Sequence, residues 1–308
     1  MSRVPRMLAS LSIKAVNAFV NLFLVVVMLA FVGVGAYSLW DTHNIEAEAD
    51  SSKWHPYKPS AKNTVSFDEL RAQNSDVVAW LGIYGTNIDY PVMYNENETI
   101  YLNHDPLGNF SLSGSLFFDS RTKPDFSSFP TVIYGHHMER NKMFGQLDAY
   151  ADEDFFRSHR YGNYFYNGKD YGVEIIGVVQ SDAYDSKVYR NNVPQSQRIE
   201  YIEGLRSIFL YSNDVSLDEN SRILLLSTCA SDSTNGRTIV VAKVSDDTFV
   251  NSFIDWPNTG SGVEDTRGWF GLPWLFWNLL IFVCVVGSLF AIYQYRKQGK
   301  DDEEGLLS

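Results

Sequence analysis

Two charge-free apolar stretches near the ends of the chain constrain its fold most, because each is long enough to need lipid rather than a protein core. Residues 15–40 (AVNAFVNLFLVVVMLAFVGVGAYSLW) and residues 268–295 carry no charged side chain over 26 and 28 positions. At about 1.5 Å per helical residue, either one crosses a hydrocarbon core of roughly 30 Å. A cleaved signal peptide is the competing reading of the first, but its apolar region is shorter, about 7 to 15 residues, and ends in a small-residue cleavage site. The second stretch has Trp269, Trp274 and Trp277 near one end and Tyr293 and Tyr295 near the other, which suits two membrane interfaces. Arg3, Arg6 and Lys14 precede the first stretch and Arg296, Lys297 and Lys300 follow the second. The positive-inside rule then places both termini in the cytoplasm and the middle outside.

The predicted division is a cytoplasmic N-terminus (1–14), a transmembrane helix (15–40), an extracellular stalk (41–65), a folded domain (66–250), a linker (251–267), a second transmembrane helix (268–295) and a cytoplasmic tail (296–308). Of 37 acidic and 25 basic residues, 33 and 19 fall between the spans, so the exported part carries about −14. That sign speaks against nucleic-acid binding, which needs a Lys/Arg surplus to neutralise phosphates. It also holds the domain off anionic headgroups, so the domain is expected to stand away from the bilayer on its linkers. With two cysteines in the chain, a disulfide-stapled secreted fold is excluded. Cys284 falls in the second span and Cys229 in the exported domain, so they cannot pair. A lone thiol in an oxidising exterior is either buried and inert or kept for a task.

The stalk contains His43, His55, two prolines and no sustained periodicity. Ser66-Phe-Asp-Glu69 has the form of a capping box, and Phe67, Leu70, Val77, Val78 and Leu81 suggest helical turns behind it. Short β-rich runs between turn residues follow at 87–93, 114–119, 131–136, 161–167, 171–180, 222–229 and 238–244, with an eighth at 80–84. Seven or eight such strands imply a barrel or sandwich. Helices are predicted at 142–157 and 195–210, and neither makes a βαβ crossover repeat, which argues against a doubly wound sheet.

The apolar strand Arg222-Ile-Leu-Leu-Leu-Ser-Thr-Cys229 stops at two hydroxyls and a thiol, which puts Cys229 at a rim. Eight residues on, Arg237 opens the next apolar strand, and a hairpin would return its guanidinium beside the thiol. Upstream, Thr131-Val-Ile-Tyr-Gly-His136-His137 is a second apolar strand ending in imidazoles. Consecutive strand side chains point to opposite faces, so one of the two histidines can address a given site. The same geometry defeats a metal pair, and no nearby Cys or carboxylate completes a zinc set. His104 and His159 lie in loop-like or helical text, which leaves His136 or His137 for Cys229. A thiolate is the reactive form, and a neighbouring imidazolium or guanidinium favours it. Thiol, imidazole and guanidinium together are equipment for acyl transfer.

At these residues the chain resembles the sortases, cysteine transpeptidases of mainly Gram-positive bacteria, over roughly residues 67–244. Leu226-Ser-Thr-Cys229 is similar to the family's TLxTC nucleophile strand, with Leu225 where Thr is usual. The Gly135-His136 strand end and Arg237 opening the next strand match in the same order. Asp89-Tyr-Pro-Val92, Tyr101-Leu-Asn-His104, Tyr134-Gly-His-His-Met138, Met143-Phe-Gly145 and the helix-bearing insert at 195–210 look most like class B members. The resemblance implies a mainly β fold, an eight-stranded sortase barrel with inserted helices, here flanked by two transmembrane helices, with 66–250 as the catalytic domain. It selects His136, since the family's catalytic histidine directly follows the glycine. It implies that Cys229 attacks a Thr-Gly-like or Thr-Asn-like bond of a sorting signal to give a thioester. His136 then protonates the leaving amine, Arg237 steadies the oxyanion, and Ser227 and Thr228 line the substrate pocket. No metal or organic cofactor is implied. The implied partners are surface proteins or pilins with a sorting signal, the amine of a peptidoglycan precursor or a pilin lysine, and the membrane.

The chain departs from class B in its second, C-terminal span, which is typical of the class C pilin polymerases. Those often carry an Asp-Pro-aromatic lid, for which the nearest text here is His55-Pro56-Tyr57, without the acid. Trp256-Pro-Asn-Thr-Gly260 resembles an LPxTG sorting signal with Trp for Leu, but reads better as linker, since the apolar span starts eight residues later. The rivals are a thiol peptidase releasing its acyl group to water and a non-catalytic two-span surface module with an inert Cys229.

Overall fold

The computed structural model describes residues 4–60, 64–229 and 236–253. The second predicted span, the linker text 256–260 and the turn between the last two strands lie outside the described residues. The chain divides into two units, residues 1–44 with 261–308, and Ile45–Gly260. The first contains most of helix α1 (Val4–Glu48), whose segment Lys14–Glu48 is long and apolar enough to cross a membrane.

In the second unit, eight strands close a barrel: β1 (Val77–Ile83), β2 (Asp89–Met93), β3 (Leu116–Phe118), β4 (Thr131–Tyr134), β5 (Tyr161–Tyr166), β6 (Lys169–Asp182), and, after a two-residue strand β7 (Tyr211–Ser212) at the edge of β6, β8 (Arg222–Cys229) and β9 (Gly236–Ser245). The order is β5-β1-β2-β3-β4-β8-β9-β6, with β6 returning to pair β5. Closure leaves the eight strands without a free edge. Pairing is antiparallel except for β2 with β3 and β4 with β8. A strand covered on both faces reads as an unbroken apolar run, which is why Ile223-Leu-Leu-Leu226 does not alternate with polar residues. Leu224 and Leu226 face the barrel interior with Trp80, Tyr90, Phe118 and Phe165. Ile223 and Leu225 face a second apolar layer on the outer wall. That layer is covered by the excursion between β6 and β8, through Val188, Val193 and helix residues Tyr201, Ile202 and Leu205.

The helical predictions are corrected in detail. Helix α2 covers Val65–Gln73 alone, so Val77, Val78 and Leu81 belong to β1 rather than to helical turns. Its N-cap is Thr64, and Ser66 lies inside the helix, so no capping box forms at Ser66 to Glu69; Thr64 Oγ1 bonds Asp68 Oδ2 at 3.0 Å instead. The helix predicted at 142–157 is a 3-10 turn at Gly145–Ala151 followed by α3 (Glu153–Ser158). Asp152 separates the two by capping the Phe155 N–H with its side chain. The helix predicted at 195–210 shortens to a 3-10 turn, Gln195–Gln197, and α4 (Arg198–Arg206).

The segment read as a stalk is strapped to the barrel. Trp54 is buried in the barrel's core cluster, and Tyr90 donates its hydroxyl to the Ala49 carbonyl at 2.8 Å. His55-Pro56-Tyr57 forms a 3-10 turn whose His55 meets Asp89, 3.1 Å away. Lys58 and the Trp80 indole each bond the same carboxylate at 2.7 Å. Burial works to raise the Asp89 carboxyl, but His55, Lys58 and Trp80 outweigh it and hold the group below the usual carboxylate range.

Candidate active site

Three adjacent strands end at the same rim. In the β8–β9 ladder Thr228 pairs Thr238 and Cys229 pairs Arg237, so the thiol and guanidinium residues stand directly opposite, about 5 Å apart at their Cα atoms. In the parallel β4–β8 ladder Tyr134 pairs Ser227, and the Gly135 N–H continues it by donating to the Ser227 carbonyl at 3.2 Å. Extended two residues, that register brings His136 level with Cys229. Strand alternation assigns Ser227 to the face of Ile223 and Leu225, and Arg237 to the face of Ile239 and Val241. The rim is therefore addressed from the outer wall, beside the excursion that covers it.

His136 and His137 sit where β4 leaves the sheet for a tight excursion. The Phe144 N–H returns to the His136 carbonyl at 3.0 Å, and His137 bridges Met143. Arg140, Asn141 and Met143 all take positive φ to make this turn. Gly135 and Gly145 bracket it because a Cβ at the first would strike Leu116 and Phe144, and at the second the Met138 carbonyl. The half-buried His136 ring places Nε2 2.6 Å from the Leu102 carbonyl oxygen. A carbonyl only accepts, so Nε2 carries a proton and Nδ1 is the nitrogen left to exchange one. His137 takes a different partner, Asp148, at 2.9 Å through Nε2.

Ser227 and Thr228 are both fully buried. The Ser227 hydroxyl lies 2.7 Å from the Tyr189 hydroxyl, whereas Thr228 Oγ1 finds no hydrogen-bond partner among the described residues. Tyr189 comes from the excursion and lies against the Tyr134 ring, centroids 6.3 Å apart. Tyr134 donates to Asp119 at 3.2 Å, and Arg121 holds that carboxylate through Nε at 2.8 Å and Nη2 at 2.5 Å. Burial raises the Asp119 carboxyl, but the Arg121 hydrogen bonds and charge outweigh it and hold the group below its ordinary value. Burial and the Asp119 charge push the Tyr134 phenol up, so it stays a donor.

Sequence reasoning named Cys229, His136 and Arg237, and the sheet brings their backbones to one rim. It did not find Tyr134, Tyr189, Asp119 or Asp148. Tyr134 carried a usable signal, since it stands two residues before His136 and shares its strand parity. The other three reach the site from loops and a 3-10 turn, which leave no periodic trace. Chemically, a thiol, an imidazole and a permanently charged fork are groups that can act as nucleophile, acid/base and oxyanion clamp.

Comparison with known proteins matches residues 81–245 to the sortase domain family. A sortase B of Listeria monocytogenes is 31% identical over 233 residues, 70% of this chain and 94% of that protein. Among solved structures, sortase B from the type II pilus of Streptococcus pneumoniae is 40% identical, with a TM-score of 0.51 over 59% of this chain and 99% of that one. A class B sortase of Streptococcus pyogenes involved in pilus biogenesis is 35% identical, with a TM-score of 0.54 over 59% of this chain and 98% of that one.

Proposed function

Because the chain belongs to the sortase family and is a cysteine transpeptidase of that kind, we propose that Cys229, His136 and Arg237 carry its reaction on the sorting signals of surface proteins. The observation that supports this assignment is the shared rim, with Cys229 opposite Arg237 in one ladder and His136 at the end of the next.

Cys229 attacks the threonine carbonyl of a Thr-Gly-like or Thr-Asn-like bond as a thiolate. The tetrahedral oxyanion forms where the Arg237 guanidinium can donate to it, a contribution often worth about 3 kcal/mol per donor. His136 gives the Nδ1 proton to the leaving amine, the C–N bond breaks, and a thioester to Cys229 remains. An incoming amine loses its proton to His136 and attacks the thioester. Collapse of the second tetrahedral intermediate expels the Cys229 thiolate and leaves a peptide or isopeptide bond. Ser227 and Thr228, fully buried on the Cys229 strand, serve the pocket from beneath its surface. The membrane helix α1 anchors the enzyme, with a second anchor at 268–295, the catalytic domain outside and both termini in the cytoplasm.

The acceptor is the amine of a cell-wall precursor or a pilin lysine. The second reading is favoured by one observation, the 40% and 35% identity to two pilus sortases. The test uses the full chain in detergent micelles, a panel of sorting-signal peptides, and either triglycine or a lysine-bearing pilin peptide as acceptor, with products read by mass spectrometry. Amine-linked product that disappears in Cys229→Ala is expected, and the acceptor used identifies the class. Hydrolysis indifferent to either amine makes the protein a peptidase. Absence of any Cys229-dependent product or thioester overturns the reading.

A further inference from the structure

Each of the three residues proposed to react has an immediate chain neighbour: Thr228 before Cys229 and Thr238 after Arg237, both buried, and His137 after His136. Asp148, on the 3-10 turn Gly145–Ala151, joins two of these neighbours. Its Oδ2 lies 2.9 Å from His137 Nε2, and its Oδ1 accepts the Thr238 hydroxyl at 2.6 Å. We propose that Asp148 is a positioning residue for the transpeptidase, setting the place of His136 relative to Arg237 and Cys229. The inference rests on the reading of those three as the reacting groups.

Thr238 is the fixed end of this bracket. It is fully buried and sits in ladders on both sides, paired with Thr228 of β8 and Gln180 of β6. His137 is the end that needs holding. The hydrogen bonds that shape its excursion are either internal, Phe144 to His136 and the His137 to Met143 bridge, or reach β2 and the strap, Met143 N–H to the Tyr90 hydroxyl and Lys142 to Asp50, so none of these sets its distance from β9. The His137–Asp148–Thr238 chain crosses that distance. The Leu102 carbonyl aims the His136 ring, and the Asp148 carboxylate locates the backbone that carries it. A carboxylate suits the task because it accepts from both sides at once, whereas a neutral amide has to donate its NH2 to one of them, which His137 permits only as the tautomer with a bare Nε2. A misplacement of about 1 Å at a reacting group costs on the order of a hundredfold in rate. Losing this bracket is expected to cost kcat while leaving peptide affinity in place.

The experiment uses full chain in micelles, the peptide selected by the panel above and triglycine, with Asp148→Ala, Asp148→Asn, Thr238→Val and the double variant Asp148→Ala/Thr238→Val. Melting temperature and site-resolved alkylation of Cys229 by iodoacetamide are measured on each. The expected results are a kcat about tenfold or more lower for Asp148→Ala with KM within about twofold, partial recovery in Asp148→Asn, and a double variant no worse than the worse single one. Cys229 alkylation at pH 7 is expected to slow about threefold in Asp148→Ala, because a displaced imidazole favours the thiolate less. A kcat within twofold of the parent in folded Asp148→Ala, or a loss in KM alone, overturns the proposal. Should Asp148→Ala fail to fold, Thr238→Val decides, since it removes the hydroxyl with little change of volume; an unchanged kcat there overturns it too. If His136→Ala and Arg237→Ala keep parent turnover, the catalytic reading itself fails, an outcome distinct from silence at Asp148 alone.

Discussion

The barrel interior and the layer on its outer wall share strand β8 and yet are built in different ways. The interior draws on the inward faces of its strands and is filled by large side chains without solvent exposure, among them Trp80, Tyr90, Tyr164 and Phe165. The outer layer uses the other faces of β4, β6, β8 and β9, and is roofed by a single excursion with one nine-residue helix, α4. A barrel closed by ladders on every side opens only as a whole, whereas a roof attached through one apolar face can lift locally. The residues proposed to react lie at this seam, at the ends of strands the interior fixes. On this contrast, the interior face of β8 is expected to hold the rim rigid and the outer wall to give way to substrate.

The largest effect expected at this seam is on turnover alone. Arg237→Ala should lower kcat by about a hundredfold or more, the scale of one lost oxyanion donor, while moving the melting temperature little, because the half-buried Arg237 side chain lies at the strand's end. A matching fall in melting temperature would mean that the rim is part of the structural core.

Next comes a direct contrast between the layers. Leu226→Ala empties a site in the interior and Ile202→Ala one in the roof, and each should cost about 2 to 5 kcal/mol locally. The first is expected to lower global unfolding free energy by that amount. The second should mainly speed hydrogen exchange in α4 and raise KM, with a smaller shift in denaturant midpoint. Equal midpoint shifts would show that roof and barrel unfold as one unit.

A smaller, pH-dependent effect is expected at Asp119, which connects the wall to the barrel through Tyr134. Its carboxyl is held below the ordinary value by Arg121, so the stability it contributes is complete above the unfolded aspartate value near 3.9 and is lost as pH falls through the lower native value. Asp119→Asn should therefore destabilise by about 1 to 2 kcal/mol at pH 7, a modest figure because the Arg121 partner is half exposed. The difference from the parent should shrink as pH drops below 4. A difference that stays constant from pH 7 to pH 3 would rule out the ion pair as its source.

What could be read from the chain follows the same division. β8 appears in the sequence with its observed ends, because an apolar run covered on both faces stands out and stops at Ser227-Thr228-Cys229. Cys229 and Arg237 were legible together, since a hairpin of that length returns the second beside the first. Val77 and Val78 were read as helical, and Leu81 as both helix and strand, because spacings of one and four residues fit a helix as well as a strand. What decides them is Asn74, which caps α2 in an extended conformation and accepts the Asp76 N–H to turn the chain into β1. The strap at Trp54 to Lys58 escaped because single contacts, an indole in the core and an imidazole and an ammonium on Asp89, have no period to detect. Tyr189 and Asp148 escaped for that reason as well: the sheet brings them to the rim from 40 and 81 residues before Cys229.

The smallest effect, and the one that most sharpens the contrast, is expected at Tyr189. Its hydroxyl lies 2.7 Å from the fully buried Ser227 Oγ, two residues before Cys229 on β8. Tyr189→Phe keeps the ring against Tyr134 and removes that contact, so stability should fall by about 1 kcal/mol, the worth of one hydrogen bond between neutral groups. If the roof serves binding, KM for the signal peptide should rise about two- to fivefold while kcat stays near the parent value. A kcat loss above tenfold at unchanged KM would instead make the roof part of the machinery that aligns Cys229. The division between a rigid interior for chemistry and a movable wall for substrate would then have to be withdrawn.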